Sequence, residues 1–177
     1  MMKAFLSSVL VCCVGSISAA SPSAYMGEES RDVKSLAPQE ISDYLSGKGM
    51  GFAKAAELNG YPGPAHVLEL AAELGLTREQ KLQTETLFTR MHLRAIALGQ
   101  EIVSEERALE RLFASHTVTS ESLGERMELI GRLHGEVREV HLAAHIEQTA
   151  LLTAAQIEQY RRLRGYHTAG EHEMHHQ

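Results

Sequence analysis

The chain has no tryptophan, only four phenylalanines and five tyrosines in 177 residues, which excludes a core built on large aromatic rings. Cysteine is scarcer still. The only two, Cys12 and Cys13, fall inside an N-terminal stretch with the features of a leader. After residue 20 no thiol remains for a disulfide, a metal or a nucleophile, so stability has to come from packing. Long apolar runs are absent after the leader, and no transmembrane helix is predicted. No segment alternates with period two, so no strand is predicted. An excess of basic charge is missing too. The formal charge is −6, and losing Lys3 with the leader makes it one unit more negative. A broad nucleic-acid or anionic-membrane surface is excluded on that ground.

The leader itself is short. Met1-Met2-Lys3 gives a basic start, "AFLSSVLVCCVGSIS" is apolar and small, and "SAA" (Ser18 to Ala20) offers small residues where a signal peptidase reads. Export with cleavage after Ala20 is the expectation. Lipidation would want a small residue before the cysteine, whereas Val11 precedes Cys12 and Cys12 precedes Cys13. Residues 21–177 are then one ordinary domain's worth of chain.

Along that chain, residues 21–34 show no periodicity and read as a flexible arm. Two short helices are predicted at roughly 38–46 and 50–58, separated by "GKG". Gly47, Gly49 and Gly51 resemble a phosphate loop only superficially, because no strand precedes them and no Gly-Lys-Ser/Thr follows. "NGYPGP" (59–64) is a turn, and Pro64 suits the first turn of a helix to about Glu73. Two long helices follow. In the first, from Thr77 to about Ala114, Phe88, Met91, Ala95, Leu98, Ile102, Leu109 and Leu112 recur at threes and fours. "SHTVTS" (115–120) breaks the pattern, with Thr119 or Ser120 able to cap what comes next. In the second, about 120–150, Leu123, Met127, Ile130, Leu133, Val137, Val140, Ala144 and Leu151 share a broad face. Met91 and Met127 are read as core. A last helix runs from Thr153 to about Arg164, and residues 167–177 form a polar, His-rich tail expected to be disordered. The expected domain is therefore 35–166, all-α, a long antiparallel helical hairpin with short flanking helices. Its wide apolar stripe asks for a second copy as cover.

One phrase occurs twice. "LTREQ" (Leu76, Thr77, Gln80) and "LTAAQ" (Leu152, Thr153, Gln156) both begin a predicted helix. Each is a capping box: the Thr hydroxyl accepts from one free backbone N–H while the Gln side chain reaches back to another. Leu152 and Ile157 also have hydrophobic-staple spacing, whereas Lys81 stands at the equivalent place in the first copy. "LAPQE" (36–40) is a degenerate third copy in which Ala37 lacks the hydroxyl. From the residues alone the phrase is a helix-start device.

The two phrases bracketing a long hairpin in an exported, acidic helical chain resemble the LTxxQ-motif periplasmic family. This is the group of Spy and CpxP, with the zinc-associated ZraP and the CnrX-type metal sensors as relatives. The resemblance spans roughly residues 64–166. It implies a thin, intertwined, cradle-like homodimer of helical hairpins. It also implies an ATP-independent chaperone that holds unfolded or misfolded envelope proteins on a concave surface with apolar and basic patches. A membrane sensor protein is a further partner of that class. The negative net charge departs from the basic cradle, although Arg90, Arg94, Arg107 and Arg111 form two pairs four residues apart that can serve as a local client surface. Solvated helix surface with nearby Glu partners is the plainer reading of the same four.

Ten histidines are many for this length. His134, Arg138, His141 and His145 fall within an arc of roughly 60° on the second long helix, at about 100° per residue. His141 and His145 are one turn apart, a spacing that lets two imidazoles reach one metal. The alternative is that they are partly buried and bonded to carboxylates of a partner helix or subunit. In the tail, His167, His172, His175 and His176 suit loose binding of a divalent metal such as zinc, nickel, cobalt or copper. His172, Glu173 and His176 match the zinc-protease spacing, but a tail end offers no third ligand and no walled groove, so the match is coincidental. No nucleophile elbow or paired-carboxylate pocket is evident, and the expectation is a non-enzyme with no required cofactor. A periplasmic chaperone is the first functional expectation, and a periplasmic heavy-metal sensor or resistance protein using His134, His141 and His145 is the second.

Overall fold

The computed structural model describes residues 21–166. The leader and the tail, with His167, His172, His175 and His176, lie outside the described residues. Backbone contacts divide the chain into a unit ending at Ser30 and a unit beginning at Arg31. The described part of the first, 21–30, is a run of turns in which the Met26 N–H donates to the Ser23 carbonyl at 3.2 Å. The second unit holds all the helices of the described residues.

Six helices and no strand make up its described residues: α1 Pro38–Leu45, α2 Lys54–Leu58, α3 Pro64–Glu69, α4 Arg78–Ala114, α5 Ser120–Leu151 and α6 Ala154–Leu163. At 1.5 Å per residue α4 is roughly 55 Å long. α4 and α5 form an antiparallel hairpin, since their cross-helix partners run in opposite order: Thr84 with Gln148, Arg94 with Glu136, Glu105 with Arg126. Local chemistry sets the turn. α4 ends in a Schellman arrangement, with the Thr117 N–H on the Leu112 carbonyl and the His116 N–H on that of Phe113. His116 takes the left-handed position, φ 56°, that glycine usually fills. α5 then starts at Thr119, whose hydroxyl accepts from the Ser122 N–H at 3.1 Å.

Three apolar clusters line the hairpin. The largest joins Val33, Leu36 and Tyr44 to Ala95, Leu98 and Ile102 of α4 and to Leu133 and Val137 of α5. A second holds Leu87, Met91 and Ala144. The third, at the open end, joins Val67 and Leu74 to Leu152, which follows α5, and to Tyr160 of α6. α1 lies so close on α4 that any Cβ at Gly99 would overlap the Tyr44 carbonyl. Leu152 and Ile157 meet in the third cluster, and Leu76 joins them there.

Two expectations need correction. Residues 31–34 are not free arm: Val33 is wholly buried in the main core, and Asp32 pairs with Arg107 at 2.8 Å. An apolar side chain at the end of the polar stretch reaches the hairpin and anchors it. Met127, read as core, is half exposed, whereas Met91 is buried. α1 packs on α4, and α2 meets α5 well beyond Met127, with Glu57 beside His145. The short helices are also shorter than periodicity implied: α2 starts only at Lys54, and α3 stops at Glu69. Among the described residues no helix is long and apolar enough to cross a membrane.

Candidate functional site

The repeated phrase does more in the fold than start two helices. Thr77 accepts from the Gln80 N–H at 3.1 Å and its own N–H donates to Gln80 Oε1 at 3.0 Å. Thr153 and Gln156 repeat this at 3.2 and 2.9 Å. The two glutamines then face each other. Gln80 Nε2 donates to Gln156 Oε1 at 2.9 Å, and Gln156 Nε2 donates to Gln80 Oε1 at 3.0 Å. Their second amide hydrogens reach the carbonyls of Leu151, at the end of α5, and Leu74, just before α4. Both side-chain amides are thereby saturated, and a helix end that would leave orphan carbonyls is closed by the other helix's cap. The phrase is a clasp at the open end of the hairpin.

Beside it lies a cluster centred on Glu57 of α2, whose side chain is 12% exposed. Its Oε1 accepts from the Tyr160 hydroxyl at 2.6 Å, the Tyr166 hydroxyl at 3.1 Å and Arg164 Nε at 3.3 Å. Burial, and then the bond to Glu57, push the Tyr160 phenol far above its ordinary range, so it stays a donor. Glu57 Oε2 is buried and has no hydrogen-bond partner among the described residues. Imidazole nitrogens stand just outside bonding distance: His66 Nδ1 at 3.8 Å from Oε1 and His145 Nδ1 at 3.7 Å from Oε2. His145 is held elsewhere. Its Nδ1–H donates to the Tyr61 carbonyl at 2.7 Å, and its ring lies so close over Gly63 that a Cβ there would come within 2.8 Å.

The three histidines of α5 thus go to three different environments. His134 Nδ1 is 3.2 Å from the Tyr44 hydroxyl, with the rings edge-on. Burial lifts the Tyr44 phenol above its ordinary range, so it keeps its proton. His141 is buried and stacks on Phe52 at 5.7 Å, and its Nε2 has no hydrogen-bond partner among the described residues. Burial first, then His145 and His92, bring its pKa down to about 4. Among the described residues no three His, Cys, Asp or Glu side chains gather as a metal site. A one-turn spacing places two side chains on one face, but it does not decide what each packs against.

The arginines are mostly engaged. Arg90 pairs with Glu147, Arg94 with Glu136 at 3.0 Å, and Arg107 with Asp32. Arg111 has no ion pair among the described residues. Between α4 and α5, Arg90 and Glu147 straddle a shallow groove of about 510 Å3 floored by Leu82, Leu87, Ala150 and Leu151. A smaller continuation of about 200 Å3 runs along Met91, Arg94, Val140 and Ala143. Leu82, Leu93 and Ile146 are each more than 60% exposed.

Sequence reasoning passed over Glu57, His66, Tyr160, Arg164 and Tyr166. The only available signal was a tyrosine within the apolar stripe of α6, which has to find a polar partner when buried. Comparison of the chain with protein-family models, with curated proteins and with solved structures found no significant match in any of the three.

Proposed function

We propose that the protein is a periplasmic, ATP-independent chaperone of the envelope-stress type, acting as a cradle-like homodimer on unfolded or misfolded polypeptides. One observation carries this reading: a shallow apolar groove between α4 and α5 that Leu82 lines and the Arg90–Glu147 and Arg94–Glu136 pairs border, on helices that also expose Leu93 and Ile146. Such a surface can hold an extended chain through scattered apolar contacts while rim charges keep the complex soluble and weak. Arg90 and Arg94 are client-facing in this reading, and their Glu partners explain how a basic stripe coexists with a negative chain. The test is suppression of aggregation of several chemically denatured proteins by residues 21–177, without nucleotide. Near-stoichiometric protection is expected, lost on replacing Leu82 and Leu93 by Glu. Failure with every client, at low and moderate salt alike, removes the reading.

A second reading, a heavy-metal-binding protein of the periplasm, is favoured by one detail of α5. With Nδ1–H fixed on the Tyr61 carbonyl, His145 keeps its lone pair on Nε2, the second-shell arrangement common to metal-ligating histidines. His141, one turn earlier, is neutral and has an unpartnered Nε2. Zinc titration of residues 21–166 against the His141→Ala/His145→Ala double variant decides it. Equal binding by the two forms would remove α5 as the site.

A further inference from the structure

The chain carries more acids than bases, 23 against 17, and most of its cations sit beside a carboxylate. Lys34 pairs with Glu110, Lys48 with Asp43, Arg126 with Glu105 and Arg132 with Glu136. Lys54 and Arg138 are exceptions. Neither has an ion pair among the described residues, and both line one cleft. Sequence position explains why Arg138 is unpaired: positions 134, 135, 141 and 142, its neighbours on the helix surface, are His, Gly, His and Leu. Lys54 has Glu57 three residues on, but that carboxylate is turned inward onto Tyr160, Tyr166 and Arg164.

The cleft, about 580 Å3, runs between the 50–55 segment and α5, and among the described residues no Asp or Glu lines it. His134, in the tautomer whose Nδ1 accepts from the Tyr44 hydroxyl, offers its Nε2–H as a third donor. The other lining is apolar or small: Met50, Phe52, Gly51 and Gly135. Space stands open beside both glycines, since a Cβ at either would meet nothing within 4 Å. Three donors, two of them permanent cations, over an apolar floor and with no competing carboxylate, suit one kind of ligand. The volume falls in the range of small-molecule sites.

We propose that this cleft binds an anionic amphiphile, with its carboxylate or phosphate headgroup on Lys54, Arg138 and His134 and its alkyl body on Met50 and Phe52. The Arg138 guanidinium supplies a planar fork for two oxygens, and Lys54 supplies a point charge on a movable stem. The apolar body supplies burial, so headgroup and tail are both needed. None of these residues lines the α4–α5 groove, and the site stands whether or not that groove holds polypeptide.

The experiment is isothermal titration of residues 21–177 with octanoate, octyl phosphate, 1-octanol and inorganic phosphate, with the His134 ring resonances followed by NMR. At least one of the octyl anions should bind at least tenfold more tightly than octanol and inorganic phosphate, shift His134, and weaken as salt rises. Whichever anion binds more tightly identifies the headgroup. Lys54→Gln/Arg138→Gln should weaken it at least tenfold, and Arg111→Gln, another exposed unpaired cation, by less than twofold. Gly135→Leu puts a side chain into the open space without touching a charge, and it should also cost at least tenfold while the protein stays folded. Equal affinity for octanol and octanoate would mean an apolar patch only. Equal affinity for inorganic phosphate would mean a bare charge site. Either result, an unaffected double variant, or no binding by either octyl anion overturns the proposal.

Discussion

At the residue scale, the glutamines of the clasp carry more than the threonines. Thr77→Ala and Thr153→Ala each remove one capping acceptor and should lower stability by about 0.5–2 kcal/mol. Gln80→Ala removes the other half of its own cap and also leaves the Leu151 carbonyl and the Gln156 amide short of partners, so it should cost more than Thr77→Ala. A Gln80→Ala/Gln156→Ala cycle in urea unfolding should show coupling of about 0.5–3 kcal/mol, as expected for residues sharing bonds. Additive losses would reduce the clasp to two independent caps. His141 gives a pH prediction with a fixed sign. Its folded pKa, near 4, lies below the ordinary 6.5, so between those values the unfolded chain holds a proton that the folded one refuses. Its contribution is complete above pH 6.5 and is lost as pH falls toward 4, on the order of 3 kcal/mol across the window. His141→Leu should flatten that part of the pH–stability curve measured by thermal melting. An unchanged slope would place the acid sensitivity elsewhere.

At the element scale, the hairpin depends on one close approach and one reversed turn. Gly99→Ala forces α1 away from α4, because the Tyr44 backbone cannot move as a flexible side-chain tip could. The expected loss is about 1–3 kcal/mol or somewhat more, with the damage concentrated in the cluster around Tyr44 and Leu98. Hydrogen exchange should show α1 opening first. His116→Gly should act oppositely. An L-residue in the left-handed region costs roughly 1–2 kcal/mol, part of which glycine recovers after its own entropy loss, so a gain of up to about 1 kcal/mol is expected in urea unfolding.

At the scale of the whole molecule, a hairpin roughly 55 Å long has only short helices to cover it. Leu82, Leu93, Phe113, Met127 and Ile146 remain largely exposed along its length. In the proposed homodimer a second copy takes part of that surface, leaving the rest to clients. Sedimentation equilibrium of residues 21–177 should therefore report a dimer, and Phe113→Glu/Met127→Glu, away from the groove, should shift it toward monomer without loss of helical signal. A monomer at every concentration would remove the dimer from the proposal and leave the groove to be tested alone.

The sequence by itself determined where helices begin and turn, because those signals are local. A Thr with a Gln three residues on starts α4 and α6, Thr119 starts α5, and threes-and-fours spacing picks out Leu98, Ile102, Leu133 and Val137 as core. Tertiary structure alone decided what the side chains meet. Gln80 and Gln156, 76 residues apart, could be read as caps from their own neighbourhoods but not as partners. Val33 lies in a stretch without periodicity, and only the arrival of α4 and α5 makes a core position of it. His134, His141 and His145 share one strip of one helix, yet Tyr44, Phe52 and the Tyr61 carbonyl divide them among separate environments. Glu57 shows the reason most directly. Its neighbours come from α3, α5, α6 and the segment after α6, so helical period, which relates residues within one element, holds no information about which chain crossings bring them to one carboxylate.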